Sequence, residues 1–204
     1  MLSEEQAIAI ASGHWNANVR DPGDQFALGQ ALLCSEGDFW VIHGNTKASV
    51  VDGDFLRTMV GNGGYLVDAI TGELVIMGSS QQTEQVLRDI RDTRAAEGLH
   101  YVLAAGTGSA DHSEVAALRK LVPCGIMQGR RLLASPDRYW FTGLKRILEN
   151  HANSLQQIGM PCEVILVSDP AHAIPVDSPW DFKWDLRKLA ERIGTYSQEN
   201  SSDG

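Results

Sequence analysis

The sequence predicts an α+β fold in two parts: an antiparallel-sheet domain over residues 1–96, in the order α-β-β-β-β-α, and a β-α-α-β-α-β domain with an extra terminal helix over 97–204. Three observations carry that prediction. The apolar periodicity changes near residue 97 from one helix and two strand pairs to strands alternating with helices. Glycine- and proline-bearing turns punctuate each step. The charge changes as well: residues 1–92 hold 5 Lys and Arg against 13 Asp and Glu, whereas residues 93–204 hold 12 against 13.

The elements follow in order. Ser3, with Gln6 three residues on, is an N-cap with its capping-box partner, and Ala7, Ile8, Ala11 and Trp15 share one stripe of a helix over about 4–18. Asp21-Pro22-Gly23 breaks it. Phe26 to Cys34 and Phe39 to His43 read as a hairpin across Ser35-Glu36-Gly37-Asp38. Residues 44–64 hold five glycines and little periodicity, which predicts a long loop around a weak apolar piece, Phe55 to Val60. Tyr65 to Asp68 and Glu73 to Met77 form a second hairpin whose turn needs the positive φ that Gly72 supplies. A polar helix over about 82–93, with Val86, Leu87 and Ile90 inward, closes the first part.

In the second part Tyr101 to Ala105 is a strand. Asp111 with Glu114 predicts a capped helix that Pro123 stops, and a second helix spans about 126–134. After a short strand at Tyr139 to Phe141, the strongest helix begins at Thr142. It places Leu144, Ile147, Leu148, Leu155 and Ile158 on one face and ends at Gly159. Glu163 to Val167 is the closing strand. Past Pro170 and Pro175, the run Ser178-Pro179-Trp180-Asp181 predicts a helix over about 179–193, with Trp180, Trp184, Leu189 and Ile193 as a partial apolar stripe that docks on the body, and a polar tail from Ser197.

Composition and motifs bound the chemistry. Hydrophobic content of 43% and charged content of 21% suit a folded chain able to bury two cores. Ser3, Glu4 and Glu5 stand where a signal peptide would be basic, and no apolar run reaches membrane length, so a cytoplasmic location without a membrane partner is expected. Cys34, Cys124 and Cys162 are odd in number and far apart, which suits buried small hydrophobes better than disulfides or a metal knuckle. Nucleophile-elbow, zincin, phosphate-loop and dinucleotide motifs are absent, and the six histidines are isolated in sequence. No catalytic residue, metal or cofactor is expected. Gly106-Thr107-Gly108-Ser109 reads as a strand-to-helix turn, although backbone amides there are also able to cradle a phosphate. Asp52 and Asp54 read as a turn around Gly53, although two carboxylates so placed are also able to hold a cation or act as an acid/base pair. Arg119, Lys120, Arg130, Arg131, Arg138, Lys145 and Arg146 read as solvated helix surface, because Glu114, Asp137 and Glu149 interleave with them.

Gly61-Asn62-Gly63-Gly64-Tyr65-Leu66-Val67-Asp68, then Thr71-Gly72-Glu73 and Gly78-Ser79-Ser80, preceded by Trp40-Val41-Ile42, resemble the YrhB-like (immunity protein 35 type) immunity family over about residues 3–92. The resemblance implies a small α+β domain that protects its producer by binding a polymorphic toxin, such as one delivered by type VI or contact-dependent secretion. It implies no catalytic residues. An acidic domain suits a toxin with a basic cleft, such as a nuclease, and disfavours direct nucleic-acid binding, though acidity also serves solubility alone. A 1:1 contact is expected near Glu36, Asp38, Trp40, Asp52, Asp54 and Asp68.

Residues 99–168 resemble the C-terminal domain of the bacterial ribosomal stalk protein through their element order, Val115-Ala116-Ala117-Leu118-Arg119, Gly125-Ile126-Met127-Gln128-Gly129-Arg130 and Ile158-Gly159-Met160-Pro161-Cys162-Glu163-Val164. That resemblance implies a partner-recognition platform. Its alternative implication is a translation- or ribosome-associated adaptor, with Arg119 at one of the expected basic positions and Val122 at the other.

Overall fold

A computed structural model of the chain describes residues 1–19, 21, 24–178 and 181–199. Among these residues the fold is α+β, with seven α-helices and two four-stranded sheets. The chain divides into two compact units, Met1–Leu87 and Arg88–Gly204.

The first unit begins with α1 (Glu4–Asn16) and continues through β1 (Phe26–Leu33), β2 (Phe39–Thr46), α2 (Lys47–Val50), β3 (Asn62–Asp68) and β4 (Leu74–Gly78). The capping box at its start is formed: Ser3 Oγ accepts from Gln6 N at 3.3 Å and Gln6 Oε1 from Ser3 N at 2.8 Å. The four strands make one antiparallel sheet in chain order. Trp40 lies opposite Val67 and Ile42 opposite Tyr65, so these four share a face. Ala7, Ala11 and Trp15 of α1 cover that face, and the two alanines let the helix approach the sheet closely. Residues 44–64 hold more structure than the predicted loop. β2 runs on to Thr46, α2 follows, Phe55–Arg57 is a 3-10 turn, and β3 starts at Asn62. Polar side chains rather than burial hold this stretch, which is why apolar periodicity does not reveal it.

A further helix, α3 (Thr83–Ala95), carries the division between the units within it, not after residue 96. The reason lies in its acidic face. Asp89 receives a bidentate hydrogen bond from Arg146 at 2.8 and 3.1 Å, and Asp92 pairs with Lys145 at 3.4 Å, which ties the end of α3 to the second unit's own helix.

The second unit contains β5 (His100–Ala105), α4 (His112–Leu121), α5 (Ile126–Leu132), β6 (Tyr139–Gly143), α6 (Lys145–Gln157), β7 (Cys162–Val167), β8 (Ile174–Val176) and α7 (Phe182–Glu199). Its sheet has the order β7-β5-β6-β8, with β5 antiparallel to both neighbours and β8 parallel to β6. β8 is an addition to the predicted order. Pro175 reads as a turn in sequence, but an edge strand hydrogen-bonds on one side only and tolerates a proline on the other. Ile147, Leu148, Ala152 and Leu155 of α6 meet Leu103, Trp140 and Phe141 in the core. Leu144 and Ile158, expected on the same stripe, are exposed because they are the N-cap and C-cap residues of α6. Gly159 follows at φ +82°, as its predicted stop position requires.

Two further expectations are corrected here. Trp184 does not dock on the body: Phe182, Leu186 and Leu189 form the inward face of α7, and Trp184 is exposed with the Arg187 guanidinium 5.5 Å from its ring. Pro179 at the expected first helical position, Trp180 of the expected stripe, the Ile193 side chain and residues 200–204 lie outside what is described, as do Pro22 and Gly23. The three cysteines are partly rather than fully buried, and all are free thiols. Burial pushes the Cys162 thiol up to about 11. No described helix is long and apolar enough to cross a membrane.

Candidate partner-docking loop

The segment between β2 and β3 carries an arrangement that burial alone does not explain. Its polar side chains turn inward and bond the backbone, while its large apolar side chains point out. Asn45, near the end of β2, donates from Nδ2 to Met59 O at 3.1 Å and accepts at Oδ1 from Met59 N at 2.8 Å, so one amide side chain pairs both backbone groups of a residue as a strand would. Thr46 Oγ1 donates to Arg57 O at 2.8 Å and accepts from Ser49 N at 3.1 Å, capping α2 with the same hydroxyl. Ser49 and Thr58 share a hydroxyl–hydroxyl bond of 2.6 Å. Asp54 N donates to Ala48 O, and the Asp54 carboxylate accepts from Leu56 N at 3.1 Å to start the 3-10 turn. Gly53, at φ +73°, permits the reversal before it.

Arg57 fixes the far side. Its Nη2 lies 2.8 Å from both Asp21 Oδ2 and Asp24 Oδ1, and Trp15 Nε1 donates to Asp24 O at 2.7 Å. The hydrogen bond and charge of Asp21, then those of Asp24, hold the guanidinium above its ordinary pKa. On the outside of this frame Phe55 is 83% exposed, Leu56 97% and Val60 87%, with Val51 also exposed. Leaving that much apolar surface in water is unfavourable at roughly 25 cal/mol per Å², and such patches mark interaction sites. Beside them a groove of about 590 Å³ is lined by His14, Trp15, Met59, Val60, Tyr65 and Ile76. Burial raises the Tyr65 phenol, whose oxygen accepts from Asn62 at 3.3 Å.

Of the six residues expected at a contact, this loop brings together two. Asp52 and Asp54 are exposed and flank the turn that leads into Phe55 and Leu56. Glu36 and Asp38 lie in the β1–β2 turn, at the opposite end of β2 and about 25 Å away along the strand. Glu36 is exposed, while Asp38 accepts from Cys34 Sγ at 2.9 Å. Trp40 is turned toward α1 and donates from Nε1 to Leu2 O at 3.1 Å. Asp68 is buried and its Oδ1 accepts from Ile70 N and Thr71 N, at 2.8 and 2.7 Å, to build the β3–β4 turn. Phe55 and Leu56 are what residue-by-residue reasoning missed; a pair of large apolar residues inside a glycine-rich polar stretch was the available signal.

The other candidate chemistries are engaged within the chain. Thr107 N donates to Glu114 Oε1 at 2.6 Å, Gly106 N to Pro161 O at 2.7 Å and Ser109 N to Thr107 Oγ1 at 3.4 Å, so amides that a phosphate would need already have acceptors. Glu114 thereby serves the β5–α4 turn instead of closing a capping box. Asp111 alone caps α4, and its bonds from the Ser113 hydroxyl and the Glu114 amide hold its carboxyl below its ordinary value. Five of the seven basic residues are engaged within the chain: Arg131, Arg138, Lys145 and Arg146 each pair with a carboxylate, and Arg119 Nε donates to Cys124 O. His151 Nε2 meets Asp185 Oδ2 at 3.0 Å with both side chains sealed from solvent. Among the described residues no cluster of His, Cys, Asp and Glu is arranged to hold a metal ion. Compared with known proteins, the chain matches no family model, no curated protein and no solved structure.

Proposed function

We propose that this chain is an immunity protein, a cytoplasmic and non-enzymatic antitoxin that binds a cognate secreted toxin one to one and blocks its active site or its motion. The observation that supports this reading most is the β2–β3 loop, which presents Phe55 and Leu56 on a hydrogen-bonded frame beside Asp52 and Asp54. A frame already ordered before binding leaves less conformational entropy to lose on association. Aromatic and aliphatic anchors supply the contact energy, and the flanking carboxylates speed encounter with a basic cleft such as that of a nuclease. The resemblance of residues 3–92 to YrhB-like immunity proteins supports the class. Delivery of the toxin by a type VI system belongs to the same reading.

The test is co-expression with the product of the neighbouring gene, which this reading expects to be the toxin. The wild-type chain rescues growth and binds the toxin in the nanomolar range or tighter. The double substitution Phe55→Ala, Leu56→Ala weakens capture by about a hundredfold and loses protection. Full protection by that variant would remove the loop from the mechanism, and absence of binding by the wild-type chain would remove the immunity reading itself.

A further inference from the structure

Among the described residues an acidic or amide side chain of the Asp/Asn type precedes a glycine twice, at Asp52-Gly53 in the β2–β3 loop and at Asn62-Gly63 where β3 begins. Such pairs share one intrinsic reaction. The backbone nitrogen of the glycine, unhindered by a Cβ, attacks the γ-carbon of the preceding side chain and closes a five-membered ring. Sequence alone ranks Asn62 first, because an amide loses ammonia directly, whereas a carboxylate is ionised at neutral pH and must take up a proton before water can leave. The fold opposes that order. Asn62 Oδ1 accepts from Gly64 N at 2.8 Å and Nδ2 donates to the Tyr65 hydroxyl at 3.3 Å, so both ends of the amide are tied. Asn62 is also paired with Gly78 in the sheet, and Gly63 packs against Gly78 O.

Nothing comparable restrains Asp52. Asp52 and Gly53 are both exposed, and among the described residues neither the Asp52 carboxylate nor the Gly53 N–H has a hydrogen-bond partner. Gly53 stands at φ +73° with open space around it. The neighbouring acid, Asp54, is held by Leu56 N and precedes Phe55 rather than a glycine.

We propose that Asp52-Gly53 is a site of spontaneous isoaspartate formation. Gly53 N attacks the carbon of the protonated Asp52 carboxyl, and the amide proton and the carboxyl OH leave as water, which gives a succinimide. Water then adds at the Asp52 backbone carbonyl and the bond from that carbon to Gly53 N breaks. The chain now runs through the Asp52 side chain, one methylene longer, and the α-carboxyl becomes the free acid. One water leaves and one enters, so the mass is unchanged. The added length falls between α2 and Asp54, whose N–H bonds Ala48 O at 3.0 Å, so the modified tip no longer closes on α2 in the same way. The chemistry concerns the backbone and does not depend on the immunity reading, although it falls in the loop to which that reading assigns the contact.

The full chain, folded and in guanidinium in parallel, is held at neutral pH and physiological temperature for weeks and then digested. Isoaspartate in each peptide is quantified by methylation with protein isoaspartyl methyltransferase and located by fragmentation that separates it from aspartate. In the folded chain isoaspartate accumulates at residue 52 severalfold ahead of residue 62, and in denaturant the order inverts. Asp52→Glu, which would need a six-membered ring, removes the signal at 52 and leaves that at 62 unchanged. A folded chain without isoaspartate at 52 overturns the proposal. So do folded and denatured chains that convert the two sites in the same order, and a signal at 52 that survives Asp52→Glu.

Discussion

The two units balance charge differently. The first, over residues 1–87, has 3 Lys and Arg against 11 Asp and Glu, and its most exposed loop shows Phe55 and Leu56 to solvent. The second, over residues 88–204, is nearly neutral with 14 against 15, and it uses its cations internally, pairing Arg138 with Glu163 and Arg146 with Asp89. In the first unit acidic charge is in large excess over its cations. In the second the two signs nearly balance, and several cations are paired within the fold.

That contrast predicts where stability and binding part company. The largest effect is expected in the second unit. Asp185→Ala removes the buried partner of His151 and of Lys188, and melting should report a loss of about 3 kcal/mol with toxin capture by the folded fraction unchanged. Next comes Phe55→Ala with Leu56→Ala, where the sign of the contrast reverses. Capture falls by about a hundredfold, roughly 2.7 kcal/mol, while stability stays within about 0.5 kcal/mol, because substitution of exposed residues removes no packing. A loss of stability as large as the loss of binding would show that these side chains belong to the fold.

Asn45→Ala sits between the two cases. It removes both bonds to Met59, so it should cost about 1–2 kcal/mol and raise amide exchange at Met59 before it affects the sheet. A protected Met59 amide in that variant would locate the frame elsewhere. Smaller again is Asp52→Lys, which leaves the Asp54 bond to Leu56 N in place. The association rate should fall severalfold at low salt and converge with wild type as salt rises, with little change in dissociation. The smallest effect concerns Cys162. The folded chain keeps that thiol's proton longer than the unfolded chain does, so the corresponding stability is complete below the ordinary thiol value near 9 and is lost as pH rises toward about 11. Cys162→Ala should flatten that decline, and near neutral pH Cys162 should react slowly with iodoacetamide.

What was legible in the sequence was local and covalent in origin. The Ser3–Gln6 box, the Asp111 cap and the positive-φ glycines at 72 and 159 depend on neighbours a few residues apart, so sequence spacing reveals them. The α1 stripe and most strand positions follow from periodicity in the same way. β8 was hidden because it is three residues long and holds a proline, and its only partner is more than thirty residues earlier. Glu114 shows the limit of a motif. Its position fits a capping box, yet the carboxylate is drawn to the Thr107 amide that the fold brings near. The candidate site was half legible. Asp52 and Asp54 could be singled out as exposed acids, whereas Trp40 and Asp68 have side chains equally suited to contact or to structure, and only tertiary context shows them bonded to Leu2 and to the turn at Ile70 and Thr71.

The bonds from Asn45, Thr46 and Ser49 to Met59, Arg57 and Thr58 separate two kinds of position within one short segment. Frame residues are constrained by one another, while Val51, Asp52, Phe55 and Leu56 leave their side chains outside. A lineage can therefore rewrite the tip without refolding the sheet beneath it. Under the proposed immunity reading, specificity for one adversary can drift, duplicate or escape on a scaffold that keeps its shape, and variation among relatives should concentrate at those outward positions and spare Asn45.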